Sequence, residues 1–244
     1  MRRQIPAHFF NFLKICHYQT VFMVYSAEIR WFFNNLTEVN ALEKWFNSRN
    51  LFFAGNWDRA DIYLWQPGLE KLGIKIREGK VEVKVLLADK GEWPLAAENS
   101  GLANDWVKYS FGLQESDEEN KKLLQQFSSA TLKTENDLWV RVDKERLLQK
   151  YAINLAEKHI QPIAPDAWPE EGCGVELTKV KINEQTYYTF GLEAFSKSHQ
   201  ESGNLRFVLN MLLPEIPGQN LKAQQSYSYP SFLNKLYTDK GRSD

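Results

Sequence analysis

Cysteine is almost absent: Cys16 and Cys173 are the only two in 244 residues and lie far apart. One pair cannot staple a small secreted scaffold, so a cytoplasmic chain that folds on its own core is expected. No apolar run reaches the roughly 18 residues that a membrane-crossing helix needs. Neither charge dominates: 30 Lys and Arg against 31 Asp and Glu leave a formal net charge of -1. That balance argues against nucleic acid or an anionic membrane as partner, because such binders carry a broad basic excess. His8, His17, His159 and His199 have no spacing typical of a zinc site. Gly172 and Gly174 alone do not make a phosphate-cradling loop, and no internal repeat occurs.

What remains is globular in character, with 43% apolar and 14% aromatic residues to build a core. Residues 1–22 lack both an uninterrupted apolar run and a small-residue cleavage site, so they read as a poorly ordered N-terminal extension rather than a leader. Met23 stands just before the first strand as an alternative start. Residues 23–200 are expected to form one domain and 201–244 an appendage packed on it, with a short helix starting at Pro230. No heptad pattern specifies an oligomeric state.

Strand patterning comes in short alternating segments. Val24 to Phe33 sets Ala27, Ile29 and Trp31 against Ser26, Glu28 and Arg30. Arg59 to Leu64 follows, then Leu72 to Arg77 and Val81 to Val85 around a tight connection at Glu78-Gly79-Lys80. Trp106 to Phe111, Leu138 to Arg146, Val175 to Ile182 and Tyr187 to Phe195 complete the set. A helix capped by Thr37 is expected over Val39, Leu42, Trp45 and Phe46, and a second behind the capping box at Ser116–Glu119. Residues 88–105 and 162–174 read as loops, and the chain near Tyr151 as helical. About seven strands with intervening helices predict an α+β protein built on an antiparallel β-barrel or a strongly curved sheet.

The strands share an unusual property: one face is apolar and the other carries full charges. Arg30, Lys75, Arg77, Lys84, Lys108, Lys144 and Arg146 fall on the charged faces together with Glu28, Glu82, Glu176 and Glu193. In an open sheet such faces would simply meet solvent. In a closed barrel, alternation turns them all inward. Two like charges about 7 Å apart cost about 2 kcal/mol at an effective dielectric of 20, so the cations need the glutamates and a bound anion as compensation.

These segments resemble the CYTH, or triphosphate tunnel metalloenzyme, superfamily across about residues 24–195. Ser26-Ala27-Glu28-Ile29-Arg30 lies where that family carries Glu-x-Glu-x-Lys. Arg59-Ala60-Asp61-Ile62-Tyr63, Ile74-Lys75-Ile76-Arg77, Glu82-Val83-Lys84 and Lys144-Glu145-Arg146 are similar to its later strands. The resemblance implies a tunnel in which Arg30, Arg59, Lys75, Arg77, Lys84, Lys108, Lys144 and Arg146 bind a small phosphorylated anion, such as tripolyphosphate or a nucleoside triphosphate. It implies that Glu28, Glu176 and Glu193 hold Mg²⁺ or Mn²⁺, with Glu82 as a further acid facing the lumen. Two departures stand out: Ser26 replaces the first glutamate and Arg30 the lysine. Losing one oxygen ligand weakens a hard-cation site, so two readings remain open: a metal-dependent phosphohydrolase, and a non-catalytic phosphoanion-binding module of the same fold.

Overall fold

The computed structural model describes residues 22–49, 59–96, 98–112, 138–216, 218 and 220–240. Nine strands account for most of them: β1 (Phe22–Phe33), β2 (Arg59–Leu64), β3 (Leu72–Arg77), β4 (Lys80–Pro94), β5 (Ser100–Gly112), β6 (Trp139–Asn154), β7 (His159–Ile163), β8 (Glu171–Ile182) and β9 (Gln185–Ser196). Every pairing is antiparallel. The order β2-β3-β4-β5-β1-β9-β8-β6 closes on itself through a β2–β6 pairing, and β7 extends β6 outside the ring. The result is a closed eight-stranded antiparallel barrel with flanking helices. Residues 1–21 of the expected 1–22 extension, the helix at 116–127 and Cys16 lie outside the described residues, and Phe22 already belongs to β1.

Two hairpins pin the register by local chemistry. Glu78 and Gly79 both have positive φ, 47° and 69°, between the paired residues Arg77 and Lys80. Asn183 and Glu184 repeat this at 48° and 64° between Ile182 and Gln185. A two-residue turn with both φ values positive matches the right-handed twist of the flanking strands.

The outward apolar residues of β1, β8 and β9, among them Ile29, Trp31, Val175 and Leu192, are covered by α1 (Asn40–Ser48) and α2 (Glu201–Leu212). Leu205, Val208, Leu209 and Leu212 of α2 recur at helical spacing and are all buried. Residues 221–228 are stitched into the barrel wall. The Ser100 amide donates to the Leu221 carbonyl at 2.8 Å and the Tyr227 amide to the Arg30 carbonyl at 3.0 Å. Ser226 Oγ donates to the same Arg30 carbonyl at 3.0 Å. A third helix, α3 (Tyr229–Lys240), follows at once, with Pro230 in its first turn as expected.

Four expectations are corrected. Residues 88–105 are not a loop: β4 and β5 pair through to Pro94 and Ser100, with register shifts between Leu86 and Ala88 and between Asp89 and Glu92 that break the alternation. The chain near Tyr151 is strand, because β6 continues to Asn154 against β8 on one side and β7 on the other. The predicted loop at 162–174 contains the end of β7 and the start of β8. Asn35, not Thr37, caps the turn before α1: its Oδ1 accepts the Glu38 amide at 3.1 Å, and a 3-10 turn over Leu36–Val39 leads into the helix.

Candidate functional site

Strand alternation decides what the barrel encloses. On β1 the inward positions are Ser26, Glu28, Arg30 and Phe32; on β2 they are Arg59, Asp61 and Tyr63; on β6, Val140, Val142, Lys144 and Arg146. These rows change character along the barrel. At one end Phe32, Tyr63, Val140, Val142, Val180, Ile182 and Tyr187 form a buried apolar cluster with Tyr229, Phe232 and Leu233 of α3. Phe232 stacks on Phe32 at 3.8 Å, and Tyr229 on Tyr63 at 5.3 Å. The helix stoppers that end.

Beyond this floor the lumen is charged. Its cavity of about 100 Å³ is lined by all twelve residues singled out from the sequence: eight cations (Arg30, Arg59, Lys75, Arg77, Lys84, Lys108, Lys144, Arg146) and four carboxylates (Glu28, Glu82, Glu176, Glu193). Side-chain exposure rises from 3% and 5% at Lys144 and Arg30, beside α3, to 22% and 36% at Lys84 and Glu193. The lumen is therefore a cup with its mouth away from α3.

A fifth carboxylate, Asp61, sits beneath the wall with no exposure. Its two oxygens take Arg77 Nε and NH2 at 2.6 Å each, and Lys144 Nζ adds 2.8 Å. Arg59 and Lys75 lie at 3.7 and 3.9 Å. Burial alone would raise the Asp61 pKa, but Lys144, Lys75 and Arg77 hold it far below the usual carboxylate range. Lys144 also donates to the Tyr63 hydroxyl at 3.0 Å, and its ammonium lies 3.8 Å from the Tyr229 ring centroid. On the opposite wall Arg30 Nε donates to Glu28 at 2.9 Å and NH1 approaches Glu176 at 2.5 Å. Lys84 bonds Glu28 and reaches Glu193 at 3.0 Å, while Lys75 reaches Glu82 at 2.8 Å.

Lys108 is the exception. Among the described residues it makes no ion pair, although it is the direct cross-strand partner of Lys84 on the same face. Like charges placed this way destabilise a sheet unless something else neutralises them.

Burial and neighbouring cations show in two of the lysines, whereas at Lys84 burial is outweighed by Glu193 and Glu28, which raise its pKa. Burial, then the adjacent Arg77, pulls the pKa of Lys75 down to about 7, and burial with Arg77 pulls Lys144 down to about 8. Glu82 goes the other way: burial would raise it, but Lys75 and Arg77 hold it at about 2. Stability follows from these directions. A lysine whose folded pKa lies below its unfolded value of about 10.4 costs stability below that value, and the cost is relieved as pH rises from the folded pKa. A carboxylate held low stabilises above about pH 4, and that contribution is lost as pH falls. Thermal melts across pH 3–9 are expected to weaken below pH 4 and to strengthen from pH 7 to 9, with Lys75→Met flattening the alkaline rise.

Sequence reasoning missed three contributors. Asp61 was visible inside the Arg59–Tyr63 strand but was not singled out, and it holds the cations of one wall in place. Tyr63 shares its parity. Tyr229 comes from a helix far along the chain, with no local signal of a role. Cys173 is fully buried, and burial pushes its thiol up, which suits packing.

The antiparallel barrel expected from the strand alternation is what the pairings form, and they close it. No protein-family model matches the chain, and no curated protein matches it. Among solved structures it is similar to the S. pombe RNA triphosphatase Pct1, with 10% identity and a TM-score of 0.37 over 90% of this chain and 83% of that one. The fold assignment rests on the strand pairings themselves.

Proposed function

We propose that the lumen is a binding site for a short linear phosphate chain, taken up end-on through the mouth away from α3. The observation that carries this reading is the charge imbalance: eight cationic side chains line the lumen against four carboxylates, with a fifth, Asp61, buried behind them, and Lys108 faces Lys84 with no ion-pair partner among the described residues. A linear polyanion complements such a cup, because several phosphate oxygens can take charge-assisted bonds from walls on all sides. The terminal phosphate would reach Arg30 and Lys144, whose charges lie deepest, and the rest of the chain would pass Lys75, Arg77 and Lys84 towards the mouth. Tripolyphosphate, and the phosphate chain of a nucleoside triphosphate, have this shape.

Of the two readings left open by the sequence, the binding module is favoured over the phosphohydrolase. A hard divalent ion draws on carboxylate charge that other cations have not already neutralised. Glu28 and Glu176 each spend both oxygens on cations.

Tripolyphosphate at a hundredfold excess over its Kd is expected to stabilise the chain by about 2.7 kcal/mol, or roughly 5–10 °C in Tm for a protein of this size. Binding at pH 8 is expected to take up protons, since a polyanion raises the depressed pKa of Lys75; calorimetry in buffers of differing ionisation enthalpy reads this directly. Orthophosphate release above background would instead establish the hydrolase. Absence of any shift with polyphosphates of every length would refute the phosphate-chain reading.

A further inference from the structure

The three carboxylates that the resemblance assigns to a divalent cation do not fit one. A hard divalent ion gathers six or more oxygen ligands at about 2.0–2.6 Å and draws on their negative charge. Here cations already stand between those carboxylates. One oxygen of Glu28 takes Arg30 Nε at 2.9 Å and the other takes Lys84 Nζ. Glu176 gives one oxygen to Arg30 NH1 at 2.5 Å and the other to Arg146 at 3.4 Å. Glu193 receives Lys84 at 3.0 Å. Arg30 thus bridges Glu28 and Glu176, and Lys84 bridges Glu28 and Glu193.

The inward residue two places before Glu28 is Ser26, 2% exposed, and its neutral hydroxyl has no hydrogen-bond partner. Among the described residues no group of three His, Cys, Asp or Glu side chains converges tightly enough to hold a metal ion. To enter, a divalent ion would have to expel a buried guanidinium or ammonium and then remain beside it. Both steps oppose binding.

We infer that Arg30 and Lys84 are the resident counter-ions of this carboxylate set, so that Glu28, Glu176 and Glu193 act as positioning residues for cations and the lumen takes its anion without a divalent metal. The identity of the anion rests on the phosphate-chain reading above; the displacement of the metal does not. In this arrangement the guanidinium and ammonium groups meet the ligand oxygens directly, each held in place from behind by glutamate.

Two measurements on the full chain separate the two claims. Titration of Mn²⁺ into the protein, followed by the electron paramagnetic resonance signal of the free ion, is expected to show no binding up to a fivefold molar excess at 100 µM protein, conditions chosen to detect sites of roughly 10 µM or tighter. Stoichiometric loss of that signal would overturn the inference. Calorimetry with tripolyphosphate is expected to give undiminished affinity in EDTA, and weaker apparent affinity in excess Mg²⁺, which competes for the ligand. Binding that requires Mg²⁺ would likewise overturn it. Failure of tripolyphosphate to bind under either condition would remove the phosphate-chain reading and leave the Mn²⁺ result to decide the metal. Lys84→Met, checked by its melting curve, frees one oxygen of Glu28 and the paired oxygen of Glu193 and is expected to gain Mn²⁺ binding; a folded variant that gains none would contradict the place given to Lys84.

Discussion

Asp61→Asn is expected to cost about 3–5 kcal/mol of folding stability, because it removes one partner from a buried set of charges and leaves the others uncompensated. Asp61 has no exposure and takes bonds from Arg77 and Lys144, with Arg59 and Lys75 within 4 Å. Asparagine preserves the shape and one acceptor but not the charge, so the cations around it repel one another. Lys75, already at about pKa 7, is expected to fall further and to be mostly neutral at physiological pH. Chemical denaturation measures the loss. A second readout separates this mechanism from simple misfit: a polyanion supplies the missing negative charge, so tripolyphosphate is expected to raise the Tm of the variant more than that of the parent. An unfolding free energy within about 1 kcal/mol of the parent would show that the cations relax outward to solvent and that Asp61 is not their anchor.

The barrel was legible where alternation is clean and hidden where it is interrupted. β1, β3 and the first half of β4 have one charged and one apolar face, and period two stands out at once. The remainder of β4 carries register shifts at Leu86–Ala88 and Asp89–Glu92, each of which reverses parity, so a strand reads as a loop. In β6 the adjacent Leu147 and Leu148 blur the pattern as the strand leaves the charged lumen. α2 was missed for a different reason. Its N-cap, Gln200, makes no side-chain cap bond, so the usual start signal is absent, although Leu205, Val208, Leu209 and Leu212 already carried the helical period.

The lumen itself was readable because closure converts a local property into a shared one. Once strands join in a ring, every inward residue faces every other, and parity alone gathers them. That logic also sorts β6, which carries charges on both parities: Arg141, Asp143 and Glu145 are about half exposed outside, while Lys144 and Arg146 point in. Parity cannot show which cation pairs with which acid. The resemblance suggested three metal ligands, and the pairing of Glu28, Glu176 and Glu193 with Arg30 and Lys84 was not legible in it; nor did the sequence hint that α3 would close one end.

The position of Arg30 depends on a residue with no side chain, and this gives the sharpest test of the lumen. Gly191 is the register partner of Arg30 on β1 and of Glu176 on β8, so it lies directly between the two charges that meet at 2.5 Å. A Cβ at Gly191 would fall 2.6 Å from the Arg30 guanidinium carbon. Gly191→Ala is thus expected to push the guanidinium aside without removing any charge, breaking its fit to Glu28 and Glu176 and its reach to the floor of the cup. Overpacking of this kind costs about 1–3 kcal/mol. Loss of one charge-assisted bond, about 1.5–3 kcal/mol, is expected to weaken tripolyphosphate binding by roughly 10- to 100-fold in calorimetry. Gly174→Ala is the matched control: it is the register partner of Glu193, and its added Cβ would meet nothing closer than 3.6 Å. The control is expected to melt and bind like the parent. Equal binding by both alanine variants would mean that the guanidinium finds the ligand from more than one position, and the lumen would then select its anion by total charge rather than by placed groups.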